Sequence, residues 1–274
     1  MSATPHTVER RVAELLAAFS GHAAYLARNL TTGAEFGYRA NEVMPTASTI
    51  KLLVLAELFR RVDAGDITLA ERLPMAADDL RGGSGILKDL DAGALLTVRD
   101  HATLMTALSD NSSTQLLVRV LGAEREWGLT QTTARFRSAD DDPVRVYGAS
   151  TPRDIVRLLE LIATDAIISP TACQGIRDVL VTQQYHDQIG RYLPYNQYER
   201  EGARHPGPVV VMSKSGFMSG IRVDAGLVQL PHAHYVICVM NEESRDRSFQ
   251  PEQEGAVLNG RISRLIFGAW STVD

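Results

Sequence analysis

Residues 209–216 (VVVMSKSG), 223–230 (VDAGLVQL) and 234–241 (HYVICVMN) are three closely spaced runs rich in β-branched and aliphatic residues. Runs of this length between Gly- and Pro-containing breaks read as β-strands. Two more strand-like runs stand near the other end of the chain. They are residues 22–30 (HAAYLARNL) and 34–38 (AEFGY), on either side of the turn Thr31-Thr32-Gly33. The stretch between these blocks is different in kind. Residues 48–63, 98–108, 112–121, 152–163 and 170–182 carry apolar residues at helical spacing, and 258–270 closes the chain as a further helix. Gly65 ends the first of these helices. Strands at both ends that bracket a helical insert predict an α+β fold whose sheet is assembled from both ends of the chain.

Composition narrows the functional classes. The chain has 274 residues, 45% of them hydrophobic and 22% charged, which suits a packed core and excludes disordered and fibrous classes. A net charge of −5 argues against a general nucleic-acid-binding surface. Cys173 and Cys238 have neither metal-ligand spacing nor a disulfide framework, and they read as buried free thiols. No cofactor or metal site is expected. The first twenty residues form no export signal, because Glu9, Arg10, Arg11 and Glu14 interrupt them. They read instead as an amphipathic helix with Val8, Val12, Leu15, Leu16 and Phe19 on one face. No run reaches 18 uninterrupted apolar residues, so neither a membrane span nor a membrane partner is expected, and the chain is expected to be cytoplasmic.

The basic residues are unevenly divided. Of 28, only Lys51, Lys88 and Lys214 are lysine. Lysine gives up its proton at moderate cost and arginine does not. Lys51 lies in an apolar helical stretch three residues after Ser48. Burial pushes a lysine toward its neutral form, and a neutral amine beside a hydroxyl is a base-and-nucleophile pair. The bland reading is that Ser48 caps the helix and Lys51 snorkels to solvent. Ser109-Asp110-Asn111 lies between two helical patterns and by itself reads as a helix cap. Lys214, in the first strand of the last block, by itself reads as a guard on a sheet edge. No role follows for Lys88.

Taken together and in order, Ser48-x-x-Lys51, Ser109-Asp110-Asn111 and Lys214-Ser215-Gly216 resemble the signature of class A β-lactamases and penicillin-binding proteins. The resemblance extends to residues 45–51 (PTASTIK), 82–87 (GGSGIL), 105–117 (MTALSDNSSTQLL) and 213–226 (SKSGFMSGIRVDAG), and so to most of the chain from about residue 22. It implies a β-lactamase/transpeptidase-like fold: an antiparallel sheet with flanking helices (residues 1–47 and 195–274), a helical lobe (48–194), and an active site in the cleft between them. It implies an acyl-enzyme at Ser48, with Lys51 as base and Ser109 as proton relay. Asn111, Lys214, Ser215, Gly216 and Arg222 would bind a small-molecule, carboxylate-bearing acyl substrate. The N–H groups of Ser48 and Phe217 would form the oxyanion hole.

The sequence departs from the class A pattern in one place. Those enzymes clear the acyl group with a water activated by a glutamate just before a proline, yet this chain has no glutamate between Glu126 and Glu160. The nearest match is Asp142-Pro143. Its carboxylate sits roughly 1.5 Å back, one C–C bond. Asp142 is either a short deacylation base or part of a solvated acidic loop. Weak β-lactam turnover is therefore expected, and the competing reading is a non-catalytic ligand- or partner-binding module on the same fold. Residues 183–208, rich in tyrosine, fit a lid over the site or a long surface connection equally well.

Overall fold

The computed structural model describes residues 5–122, 131–132, 148–196 and 209–271. In chain order the elements are α1 (Pro5–Ala18), β1 (His22–Asn29), β2 (Glu35–Tyr38), β3 (Met44–Pro45), a 3-10 turn (Ala47–Ile50), α2 (Lys51–Asp63), β4 (Arg72–Pro74), β5 (Leu95–Thr97), α3 (Val98–Ala107) and α4 (Asn111–Leu121). β6 (Ala149–Ser150), α5 (Pro152–Ala163), α6 (Pro170–Leu180), β7 (Val210–Met218), β8 (Ile221–Gln229), β9 (His234–Glu242) and α7 (Glu254–Trp270) follow. The main sheet runs β2-β1-β9-β8-β7, antiparallel throughout. β1 from one end of the chain thus pairs with β9 from the other, as the bracketing pattern predicts. Among the described residues no helix is long and apolar enough to cross a membrane.

β9 shows why its sequence is apolar without a break. Val236, Cys238 and Met240 join the core on the side of α2–α6, while Tyr235, Ile237 and Val239 join the core on the side of α1 and α7. Both faces are covered, so neither has to be polar. Each fully buried side chain of this size contributes about 1.5–3 kcal/mol. Both cysteines are free and buried, as expected.

Two local differences from the sequence reading bear on the site. The expected helix at 48–63 begins only at Lys51, and Ser48 lies in the preceding 3-10 turn. The break has a backbone cause: Ala47 has a positive φ of 44°, which an α-helix does not admit. Ser48 is therefore no α-helix cap. In addition, the strongly amphipathic N-terminal stretch buries only Val8 and Val12 fully; Leu15, Leu16 and Phe19 are half-buried against the α7 side of the sheet.

Candidate active site

Ser48 is seated where the 3-10 turn meets β7. It is 9% exposed, and its side chain makes no hydrogen bond among the described residues. Gly216 makes this seat possible. A methyl group on Gly216 would come within 2.7 Å of the Ser48 backbone nitrogen and 3.1 Å of the Thr46 carbonyl oxygen. Only the bare backbone of glycine lets the strand lie this close.

Lys51, the first residue of α2, is 2% exposed. Its Nζ donates to the Ser109 carbonyl oxygen (2.7 Å), to Ser109 Oγ (3.1 Å) and to Asn111 Oδ1 (2.8 Å). Burial, and then the like charge of Lys214, hold its pKa well below the ordinary lysine value; Asp110 opposes them weakly. A lysine so placed can hold a proton at three acceptors and also release it.

The loop that receives Lys51 is stapled from beneath. Ser109 has a left-handed φ of 52°, a conformation costing about 1–2 kcal/mol outside glycine. Asp110, also buried, accepts hydrogen bonds from Ile86 N (2.7 Å) and Leu87 N (2.9 Å) through one oxygen, and from Ser113 N (2.8 Å) through the other. It therefore caps α4, as the bland reading held, and at the same time pins the 82–87 loop. Gly85, at φ +100°, leaves no room for a side chain because a methyl group there would strike the Asp110 carboxylate. Asn111 N donates to the Ser84 carbonyl (3.1 Å) and Asn111 Nδ2 to the Gly82 carbonyl (2.9 Å). The side-chain oxygen of Asn111 is thereby turned toward Lys51. Lys88 donates to Gly85 O (2.6 Å) and Asp89 Oδ2 (3.1 Å), tying its own loop.

The opposite wall is β7, the edge strand of the sheet. Lys214 is 1% exposed, and its Nζ donates to the Ser215 carbonyl (2.6 Å). Burial pulls its pKa down to about 7, against the opposing pull of Asp224. Among the described residues Ser215 Oγ is buried without a hydrogen-bond partner. Phe217 pairs with Arg222 across the β7–β8 ladder and meets Tyr185 edge-on at 5.3 Å. Arg222 is buried and donates to the Met218, Ile221 and Ser248 carbonyls at 2.7–2.8 Å, with its guanidinium 5.3 Å from the Phe249 ring. Two of these bonds tie the β7–β8 turn, and the third joins it to the loop after β9.

The segment after α6 braces this strand. Gln183 Nε2 donates to Ser213 O (3.4 Å), Gln188 Nε2 to Gly216 O (3.3 Å), and Tyr185 OH to Leu108 O (3.3 Å), the residue before Ser109. Residues 183–196 therefore join the two walls. Residues 197–208 and Asp142 lie outside the described residues. Sequence reasoning missed Asp110, Gln183 and Gln188 as supports. It also missed Asp224, whose signal was an acidic residue inside an apolar strand run. Among the described residues no group of three or more His, Cys, Asp or Glu could hold a metal.

A sequence model of the β-lactamase enzyme family matches residues 7–270. The chain belongs to the β-lactamase enzyme family. A β-lactamase of Streptomyces albus G is 28% identical over 177 residues, 58% of this chain and 56% of that protein. The chain spans about half the length of the curated relatives it matches. Structural likeness to family members reaches further. The β-lactamase of Sphaerobacter thermophilus DSM 20745 superposes with a TM-score of 0.83 at 25% identity, covering 96% of each chain. The structure of PBP-A gives 0.82 at 25% identity, covering 98% of this chain and 97% of the other. The α+β architecture is thus the β-lactamase fold.

Proposed function

We propose that this protein is a serine hydrolase or acyltransferase that forms an acyl-enzyme at Ser48 with a β-lactam or a related amide or ester. The observation that carries this reading is Lys51: a buried lysine held by Ser109 and Asn111, one turn from a serine whose hydroxyl makes no hydrogen bond among the described residues.

Neutral Lys51 takes the Ser48 hydroxyl proton as the oxygen attacks the substrate carbonyl. The carbonyl oxygen becomes an oxyanion between the N–H groups of Ser48 and Phe217. As the intermediate collapses, Ser109 gives its hydroxyl proton to the leaving nitrogen or oxygen and is reprotonated from Lys51. The substrate lies along the β7 edge as an added strand, and Asn111 holds its amide. Lys214 and the unpartnered hydroxyl of Ser215 hold its carboxylate, with Arg222 at the end of the strand. No glutamate stands between Glu126 and Glu160 to activate a deacylating water. β-Lactams therefore acylate Ser48 and leave slowly, while esters, amides or thioesters whose release Lys51 drives in both steps turn over.

Intact-protein mass spectrometry after exposure to penicillin G tests this. The expected result is one persistent penicilloyl adduct on the wild type and none on Ser48→Ala. Fast multiple turnover of a chromogenic cephalosporin would overturn the slow-release reading. Ligand binding without any adduct or ester turnover would make the protein a non-catalytic module.

A further inference from the structure

Gln188 is fully buried, and its amide is the last of three that hydrogen-bond in series on the α7 side of the sheet. Asn241 Nδ2, from β9, donates to the Gly255 carbonyl (3.1 Å) and to Asn259 Oδ1 (2.8 Å). Asn259 Nδ2, from α7, donates to Gln188 Oε1 (2.8 Å), and Gln188 Nε2 donates to the Gly216 carbonyl (3.3 Å). A carbonyl at each end fixes the sense of the series, since turning the amides over would set oxygen against oxygen at Gly255 and at Gly216. The series ends on the peptide between Gly216 and Phe217. Leu230 N donates to the Ala233 carbonyl just beyond the β8–β9 ladder. Bonded pairs alternate in an antiparallel ladder, so the even-numbered residues of β8 bond to β9 and the odd-numbered ones, Val223 among them, to β7. Gly216, opposite Val223, therefore turns its carbonyl toward β8, and the N–H of Phe217 faces the open edge of the sheet.

We infer that Gln188 is a positioning residue for the oxyanion hole: it places a second donor on the Gly216 carbonyl, beyond the ladder pair with Val223, and so aims and polarises the Phe217 N–H on the far side of the same peptide. The role rests on the acyl-enzyme reading given above. A peptide N–H donates more strongly when its own carbonyl accepts, because hydrogen bonds in series strengthen one another by about 10–30% each. Glycine at 216, demanded by the approach of Ser48, has no side chain to hold this peptide, so its bracing comes from outside the strand. Gln188 Oε1 is itself held by Asn259, and Asn259 by Asn241, so the donor is fixed from α7 and β9. The three amides do not titrate, so the effect holds across pH.

The test uses Gln188→Met, which keeps the length of the side chain and removes its donor. One oxyanion donor is worth about 10²–10³ in rate, so losing about 10–30% of its strength costs about two- to eightfold. The limiting rate of Ser48 acylation by penicillin G should fall by that factor at every pH, with the half-saturating concentration within about twofold of wild type. The infrared band of the acyl carbonyl, labelled with carbon-13 at the β-lactam carbonyl of the penicillin, should move to higher wavenumber, because a weaker donor leaves the C=O bond stronger. A band that stays in place would overturn the inference and leave Gln188 a brace, whatever happens to the rate. If Gln188→Met fails to fold by circular dichroism, Asn259→Ala, which frees the oxygen of Gln188, should move the band the same way. An unmoved band there overturns the inference equally. A wild type that forms no adduct would instead refute the underlying reading of Ser48.

Discussion

The two sides of the candidate site are built on opposite plans. On the wall formed by residues 82–87 and 109–111, the polar groups are matched. Lys51 meets three acceptors, Asp110 accepts from three backbone N–H groups, and Asn111 is held at both ends. On the β7 wall the groups are left wanting. Among the described residues Ser215 Oγ is buried without a partner, and Lys214 has one acceptor, a carbonyl on its own strand. Buried polar groups are ordinarily satisfied, so an unmatched one calls for a partner of its own. Under the proposed function, the contrast separates the parts that handle the proton from those that hold the substrate. On that reading the first wall is complete by itself, and the second is the one that takes the substrate.

The harshest way to break the first wall is Lys51→Arg. The charge and the donors stay, but the proton no longer leaves. Acylation by penicillin G should fall by about 10²–10⁴-fold, the usual contribution of a general base, with far-UV circular dichroism unchanged. Retained acylation would show that Lys51 only props the loop. Asp110→Ala should be the next largest effect, on stability. It leaves the N–H groups of Ile86, Leu87 and Ser113 without their acceptor and removes the α4 cap. Urea unfolding should show a loss of about 3 kcal/mol, against well under half of that for a surface acid such as Asp89. An equal loss at both positions would deny the staple.

These contacts also mark what the sequence could and could not convey. The strand block at 209–241 and the three motifs were legible because each depends on a local pattern: continuous apolar runs, a serine three residues before a lysine, a capping acid before a helix. The sheet's assembly from both ends followed from the same pattern. The 3-10 turn at Ser48 was not legible, since it depends on a positive φ at Ala47 and on the close approach of Gly216, more than 160 residues away. Asp110 looked like a helix cap, and its cap bond to Ser113 is indeed there; its grip on Ile86 and Leu87 exists only in three dimensions. The same holds for Gln183 and Gln188, which look like surface residues until β7 is laid beside them.

The pH dependence of acylation sharpens the comparison between the walls. Under the proposed function Lys51 works when neutral, so the rate rises as pH climbs through its lowered pKa. On the same reading Lys214 works when charged, so capture of a carboxylate is lost as pH rises through about 7. Penicillin G should give a bell with limbs of about tenfold per pH unit, whereas an uncharged p-nitrophenyl ester should keep only the rising limb. Two identical profiles would mean that Lys214 does not contact the carboxylate.

The smallest effect expected is on stability, from replacing Lys214 rather than Lys51 by methionine. Lys51→Met leaves three acceptors without a donor and should destabilise. Lys214→Met removes a desolvated ammonium with a single hydrogen bond and fills the space with an apolar chain. The change should lie within about 1 kcal/mol of neutral at pH 7, as for buried charges replaced by apolar isosteres. The sign can be checked by pH. In the folded protein Lys214 loses its proton near 7, and in the unfolded chain only near the ordinary lysine value. Between pH 8 and about 10 the unfolded state binds the extra proton, so this lysine makes wild-type stability rise with pH over that window. The variant lacks that rise. Any stability advantage it holds near neutrality should therefore shrink toward pH 10 in urea-unfolding series. An advantage that grows instead would mean the ammonium is better solvated in the fold than its burial and single acceptor allow, and the β7 wall would then be as complete as its counterpart.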